Sequence, residues 1–118
     1  MEVMVLYAER NYITGEIEGY DHVANVEHQD NSSIDGTLEF AFRRLQNIDG
    51  SWSMGPDFDY CDNPDYDPSV TVLKPLRLIG EGRKLGHRSC SVGDRMILNG
   101  IMYEVDSWGF KVVGGLNV

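Results

Sequence analysis

The sequence predicts an α+β domain: a strongly curved antiparallel sheet of about five strands, tending toward a barrel, packed on one helix at about residues 36–47. Three observations predict it. Short apolar runs with strand character recur near both ends of the chain, one central stretch alone carries helical periodicity, and Asn99-Gly100 lies between two apolar runs, the strongest short-range hairpin signal. With 118 residues and 42% hydrophobic side chains, residues 1–118 suit a single domain with its own core.

The first strand is read at residues 3–8, where both parities are apolar (Val3, Val5, Tyr7 and Met4, Leu6, Ala8), as expected of a central strand covered on both faces. Residues 11–19, with Gly15 and the acids Glu16 and Glu18, read as a connection or a short edge hairpin. A second strand follows at 20–28, where Tyr20, His22, Ala24, Val26 and His28 share one parity. Asp35 is a plausible N-cap for the helix, whose stripe is Leu38, Ala41, Phe42, Leu45 and Ile48. Glu39 near its start and Arg43-Arg44 near its end suit the helix dipole.

Residues 50–69 are irregular, with Pro56, Pro64 and Pro68, and a loop of that length in a small domain is commonly functional or mobile. Embedded Trp52, Phe58, Tyr60 and Tyr66 imply that parts of it pack down. Val70–Leu73 is a third strand, stopped by Lys74-Pro75, and residues 76–79 continue it beyond a bulge. In the C-terminal hairpin a two-residue loop pairs Leu98 with Ile101, Met96 with Tyr103 and Arg95 with Glu104. A shift by one residue would break both the apolar face and the charge pair. Residues 110–113 form a last strand.

Net charge is −9, which argues against direct nucleic-acid binding because phosphate neutralisation needs clustered cations. The charge is unevenly placed. Residues 49–67 hold six aspartates and no Lys or Arg; residues 74–95 hold six Lys and Arg against Glu81 and Asp94. Part of this is expected to cancel across one surface. No apolar run approaches a membrane span, acids interrupt the first twenty residues, and two cysteines are too few for a disulfide scaffold, so a cytoplasmic protein is expected.

The acidic stretch fails as an EF-hand: counted from Asp57, the fifth position is Cys61, the sixth Asp62 and the twelfth Pro68. Its better reading is a partner surface of Asp57, Asp59, Asp62, Asp65 and Asp67 with Tyr60 and Tyr66. Carboxylates interleaved with aromatics can imitate a phosphate backbone and be steered into a basic groove. The basic, glycine-rich segment offers an alternative in Arg83, Lys84, His87 and Arg88, which could hold a small anion such as a nucleotide. His22 and His28 are too far apart along a strand, about 20 Å, to share a metal, and no C-x-x-C is present. Cys90 reads as a buried thiol rather than a nucleophile. No cofactor motif is found, and the sequence gives little support for an enzyme.

Arg88-Ser89-Cys90-Ser91-Val92-Gly93-Asp94, followed by the hairpin with Tyr103 and by Gly109-Phe110, resembles a C-terminal signature of small uncharacterised proteins encoded by bacteriophages and plasmids. The helix end at Gln46-Asn47 with Ser51-Trp52 just after it is similar too, so the resemblance spans about half the chain. It implies a mobile-element origin and carries no functional residue. The expectation is therefore a non-enzymatic accessory protein that binds and inhibits a host nucleic-acid-handling or defence protein through its acidic surface. The alternatives are an anion-binding protein or a structural module that forms a homodimer.

Overall fold

The computed structural model describes residues 1–29, 33–58, 61–74, 76–80 and 83–115. Strands β1 (Glu2–Arg10) and β2 (Ile17–Glu27) precede helix α1 (Ile34–Arg44), and two-residue strands β3 (Asp57–Phe58) and β4 (Cys61–Asp62) follow it. Next come β5 (Val70–Val72), β6 (Arg77–Gly80), β7 (Arg83–Leu85), β8 (Arg95–Leu98), β9 (Ile101–Asp106) and β10 (Gly109–Gly115). Six of these make one antiparallel sheet in the order β10-β9-β8-β1-β2-β5; β3-β4 and β6-β7 are separate ribbons. The sheet is open, with β10 and β5 at its edges, so the expected five strands and the tendency toward a barrel both give way to a six-stranded open layer.

One face of the sheet is the core. Val3, Val5 and Tyr7 of β1, Ala24 and Val26 of β2, Met96 and Leu98 of β8, and Tyr103 and Val105 of β9 are buried under Leu38, Ala41 and Leu45 of α1 and under Trp52. β1 is central, as its apolar content predicts, but among the described residues only this face is covered by the helix. On the far face Met4, Leu6 and Ile97 are half-buried by their neighbours. There the Arg95 guanidinium lies 4.4 Å from the Tyr20 ring centre and 3.2 Å from Glu104, so its stem covers apolar surface that no second layer reaches.

The helix begins two residues before the expected start and ends three before the expected end. Ser33, not Asp35, is its N-cap: its hydroxyl accepts from the Gly36 N–H at 2.9 Å, while Asp35 sits in the first turn, where its charge suits the dipole. The Asn99-Gly100 hairpin forms as predicted, with φ of 53° and 77° and the pairs Leu98–Ile101, Met96–Tyr103 and Arg95–Glu104.

β2 shows why its alternation was hard to read. Val5 pairs with Ala24 but Leu6 pairs with His22, leaving Val23 as an extra residue. Val23 and Ala24 are therefore consecutive and both buried. Beyond this bulge the faces exchange, and Asp21 comes opposite Tyr7. The bulge also ends β5: the N–H groups of Leu73 and Lys74 both donate to the Val23 carbonyl (2.9 and 3.3 Å), so residues 76–79 leave the sheet instead of extending it, and β6 pairs with β7.

Candidate functional site

The acidic segment is built into the fold more deeply than its charge suggests. One carboxylate oxygen of Asp65, Oδ2, accepts the three consecutive N–H groups of Ile48, Asp49 and Gly50 at 2.7, 3.0 and 2.7 Å. Beside it Asn63, buried, takes the Ser51 N–H on Oδ1 and donates Nδ2 to the carbonyls of Ser51 and Gly55. Asp67 accepts the Ser69 N–H at 2.9 Å and lies 3.7 Å from Arg44. Burial works to raise its pKa, but the Ser69 hydrogen bonds and the Arg44 charge hold it below the ordinary carboxylate value. Asp62 and Tyr66 remain exposed. Asp59 and Tyr60 lie outside the described residues, and of Asp57 only the backbone is described. Among the described side chains no ion pair links residues 49–67 to residues 74–95, so the expected neutralisation is not made there.

The basic segment divides. Arg88 grips Asp94 with both guanidinium nitrogens, at 2.6 and 2.7 Å, and Asp94 is 1% exposed. The Asp94 carboxylate also accepts the N–H groups of Ala8 and Ser91 (2.8 and 2.9 Å), and the Arg88 guanidinium stands 4.2 Å from the Tyr7 ring centre. The Arg88 carbonyl in turn accepts from Tyr7 Oη and Trp52 Nε1. His87 stacks on Trp52 with centroids 5.6 Å apart, and its Nε2 lies 3.0 Å from the Lys74 carbonyl. Arg88 and His87, two of the four expected anion ligands, are thus held by partners within the chain, although Arg88 keeps 46% of its side chain exposed. Lys84 is exposed on β7; of Arg83 only the backbone is described.

This knot joins the end of helix α1 to residues 87–90. Gln46 Nε2 donates to the Cys90 carbonyl (2.9 Å), Asn47 N–H to Ser89 Oγ (2.8 Å), and Asn47 Nδ2 to the His87 carbonyl (2.9 Å). Cys90 is buried among them, and burial followed by the nearby Asp94 charge pushes its thiol pKa up, the opposite of what a nucleophile needs.

At the end of the sheet that β1 runs toward, three turns meet. Leu6 faces Arg95 and Arg95 faces Glu104, so the β1–β2 turn, the 91–94 turn and the β9–β10 turn lie side by side, about 5 Å apart from strand to strand. Arg10 ties the first two: Nη1 donates to the Gly15 carbonyl at 3.1 Å, and Nη2 occupies the space where a Cβ on Gly93 would stand. Gly93, at φ 97°, donates to the Val105 carbonyl and so ties the second turn to the third. The β1–β2 turn is itself ordered. Asn11 Oδ1 accepts the N–H groups of Ile13 and Thr14, and the Gly15 N–H returns to the Asn11 carbonyl.

From these braced turns Trp108 projects 100% exposed, Tyr12 96% and Ile13 79%, with Val92 between them also exposed. Exposed carboxylates surround them at Glu9, Glu16, Glu18 and Asp106. Glu9 also bonds to Asp21, which the bulge turned toward it; this contact holds the Glu9 carboxyl above its ordinary pKa and Asp21 below, with Lys74 Nζ 3.3 Å from Asp21 assisting. None of the apolar residues at this end was singled out from the sequence. The signal was there: Asn11-Tyr12-Ile13-Thr14-Gly15 and Ser107-Trp108-Gly109 place large apolar side chains between turn-forming residues, where no core can receive them. No family model, curated protein or solved structure matches the chain.

Proposed function

We propose that this domain is a non-enzymatic binding protein whose sheet end, led by Trp108, Tyr12 and Ile13, docks into an apolar cleft with a basic rim on a partner protein. The fully exposed Trp108 carries the reading. A tryptophan in water forgoes a large apolar transfer free energy, about 2–3 kcal/mol for a side chain of this class, and is a frequent anchor in protein interfaces. Tyr12 and Ile13 project from the β1–β2 turn at the same end of the sheet, on a backbone whose hydrogen bonds hold it in place, which limits the ordering cost of binding. The carboxylates around them favour a partner rimmed by Lys or Arg and disfavour an anionic lipid surface. Among the described residues no helix is long and apolar enough to cross a membrane.

The biological setting we propose is that of a phage or mobile-element accessory protein acting in the host cytoplasm. There it blocks a nucleic-acid-handling or defence protein, whose nucleic-acid groove would supply the basic rim. Asp62 and Tyr66, exposed on the loop that Asp65 and Asn63 anchor, form a separate acidic and aromatic patch that a partner could also meet. The test places a photoreactive phenylalanine at position 108 and irradiates the protein in a host lysate. A discrete protein adduct is expected, lost with Tyr12→Ser plus Ile13→Ser and weakened in about 1 M salt, where charge attraction is screened to a few ångströms. An adduct only with a second copy of the chain would replace this reading by a dimerisation module, and no adduct would end it.

A further inference from the structure

A concave surface flanks the β5 edge of the sheet, between the 52–55 turn, β5 with its C-terminal extension, and β7. It encloses about 380 Å³, and its walls include Trp52, Met54, Val72, Leu73 and Leu76. Leu73 is 43% exposed, and Tyr66, also a lining residue, is similarly uncovered. Lys74 and Lys84 both border the groove. In a chain of net charge −9, two ammonium groups at one apolar groove make a local reversal of sign. We propose that this groove binds an amphipathic organic anion: a single carboxylate, phosphate or sulfonate on a flat or branched apolar body.

Three features support it. The volume falls within the range of small-molecule sites, which are mostly apolar with a few placed polar groups. The backbone at Lys74 is fixed, since its N–H donates to Val23 and its carbonyl meets His87 Nε2 at 3.0 Å, so the groove wall is preformed. The two lysines are also unequal. Lys74 Nζ is shared with Asp21 at 3.3 Å, whereas Lys84 meets no carboxylate among the described side chains. Lys84 is therefore the cation left to pair with a ligand, and Lys74 supplies background charge. This inference does not rest on the docking role of Trp108: the groove flanks the β5 edge of the sheet, whereas Trp108 lies on the β9–β10 turn at the other edge.

The probes are naphthalene-2-carboxylate and its neutral counterpart 2-naphthylmethanol, followed by amide NMR on the full chain with inorganic phosphate as a control. The acid is expected to shift residues 52–55, 70–74 and 84 with saturation below about 1 mM, and the alcohol to bind about tenfold more weakly. Lys84→Met should erase the preference for the acid, while Leu73→Ser should weaken both probes alike. Both positions are exposed, so neither variant should alter the fold. Absence of saturable shifts, equal binding of acid and alcohol, or an unchanged preference in Lys84→Met would each overturn the proposal. Shifts by phosphate at the same residues without the apolar body would overturn it too, reducing the groove to a surface attraction between charges.

Discussion

Two regions of this small domain use the same kinds of residue to opposite ends. The knot around Arg88 and Asp94 and the turns at the sheet end both combine a tryptophan, a tyrosine, carboxylates and an arginine. In the knot every polar atom named above has a partner and the aromatic rings are buried: Trp52 is 2% exposed and its indole N–H bonds the Arg88 carbonyl at 2.8 Å. At the sheet end the backbone is equally well braced, yet Trp108 and Tyr12 have nothing over them. Rigid backbone with satisfied side chains marks a structural device, whereas rigid backbone with unsatisfied apolar side chains marks a surface awaiting a partner.

The sharpest way to break that contrast is Asp94→Ala. It removes the partner of a half-buried guanidinium and the acceptor for two amides at once, and breaking a buried pair from one side costs about 3–5 kcal/mol. A large drop in the urea midpoint is expected, and the double variant Arg88→Met, Asp94→Leu should recover part of it, because no uncompensated charge then remains. A single variant that unfolds at the wild-type midpoint would show that the knot does not hold the fold.

Asp65→Ala comes next. Three amides lose their acceptor, but they sit at a partly exposed turn where water can replace it, so about 1–3 kcal/mol is expected. Hydrogen exchange should quicken at residues 48–50 first. If Asp65→Ala instead leaves exchange and stability unchanged, the acidic loop is a solvated surface and not an anchored one.

Much of this was legible in the sequence, and the failures have physical causes. The hairpin at Asn99-Gly100 could be read in full because both the turn chemistry and the alternation are local. Helix α1 was found, but its start was displaced: Ser33 and Asp35 both offer a side-chain oxygen, and only the three-dimensional path decides which reaches Gly36 N. β2 defeated alternation because the Val23 bulge exchanges its faces midway. The functional reading leaned on the density of charge, and charge density does not reveal that Asp65 faces inward onto three amides. Arg88 looked available for an anion for the same reason, its partner Asp94 lying six residues on in the sequence with no regular structure between them. Trp108 and Tyr12 were passed over because exposure is a property of the whole fold.

A smaller effect comes from pH at two carboxylates, Glu104 on β9 and Asp67 in the loop before β5. Burial acts to raise the pKa of Glu104, but hydrogen bonds from Lys111 and Arg95 hold it low, at 3.2 Å from each; Asp67 is held low as described. A carboxylate depressed in the folded state binds its proton more readily when unfolded, so its stabilisation is complete above the ordinary carboxylate range, about pH 4–5, and fades as pH falls through the depressed value. Glu104→Gln and Asp67→Asn should each flatten the acid limb of the stability–pH curve and leave its slope above pH about 6 unchanged. An acid limb as steep as that of the parent in both variants would place the acid sensitivity elsewhere.

The smallest expected effect on stability tests the other half of the contrast. Trp108→Ser combined with Tyr12→Ser removes two large aromatic side chains, which in the knot would be ruinous: a buried Trp truncated to Ala costs about 3–5 kcal/mol. Here both rings are in water in the folded and unfolded states alike, so folding returns almost nothing for them and the change should stay within about 0.5 kcal/mol. The same pair of substitutions should abolish partner capture from position 13. The comparison is decided by measuring both on one protein. Stability lost together with capture would mean that the exposed aromatics brace their turns, and the sheet end would then be a structural device like the knot.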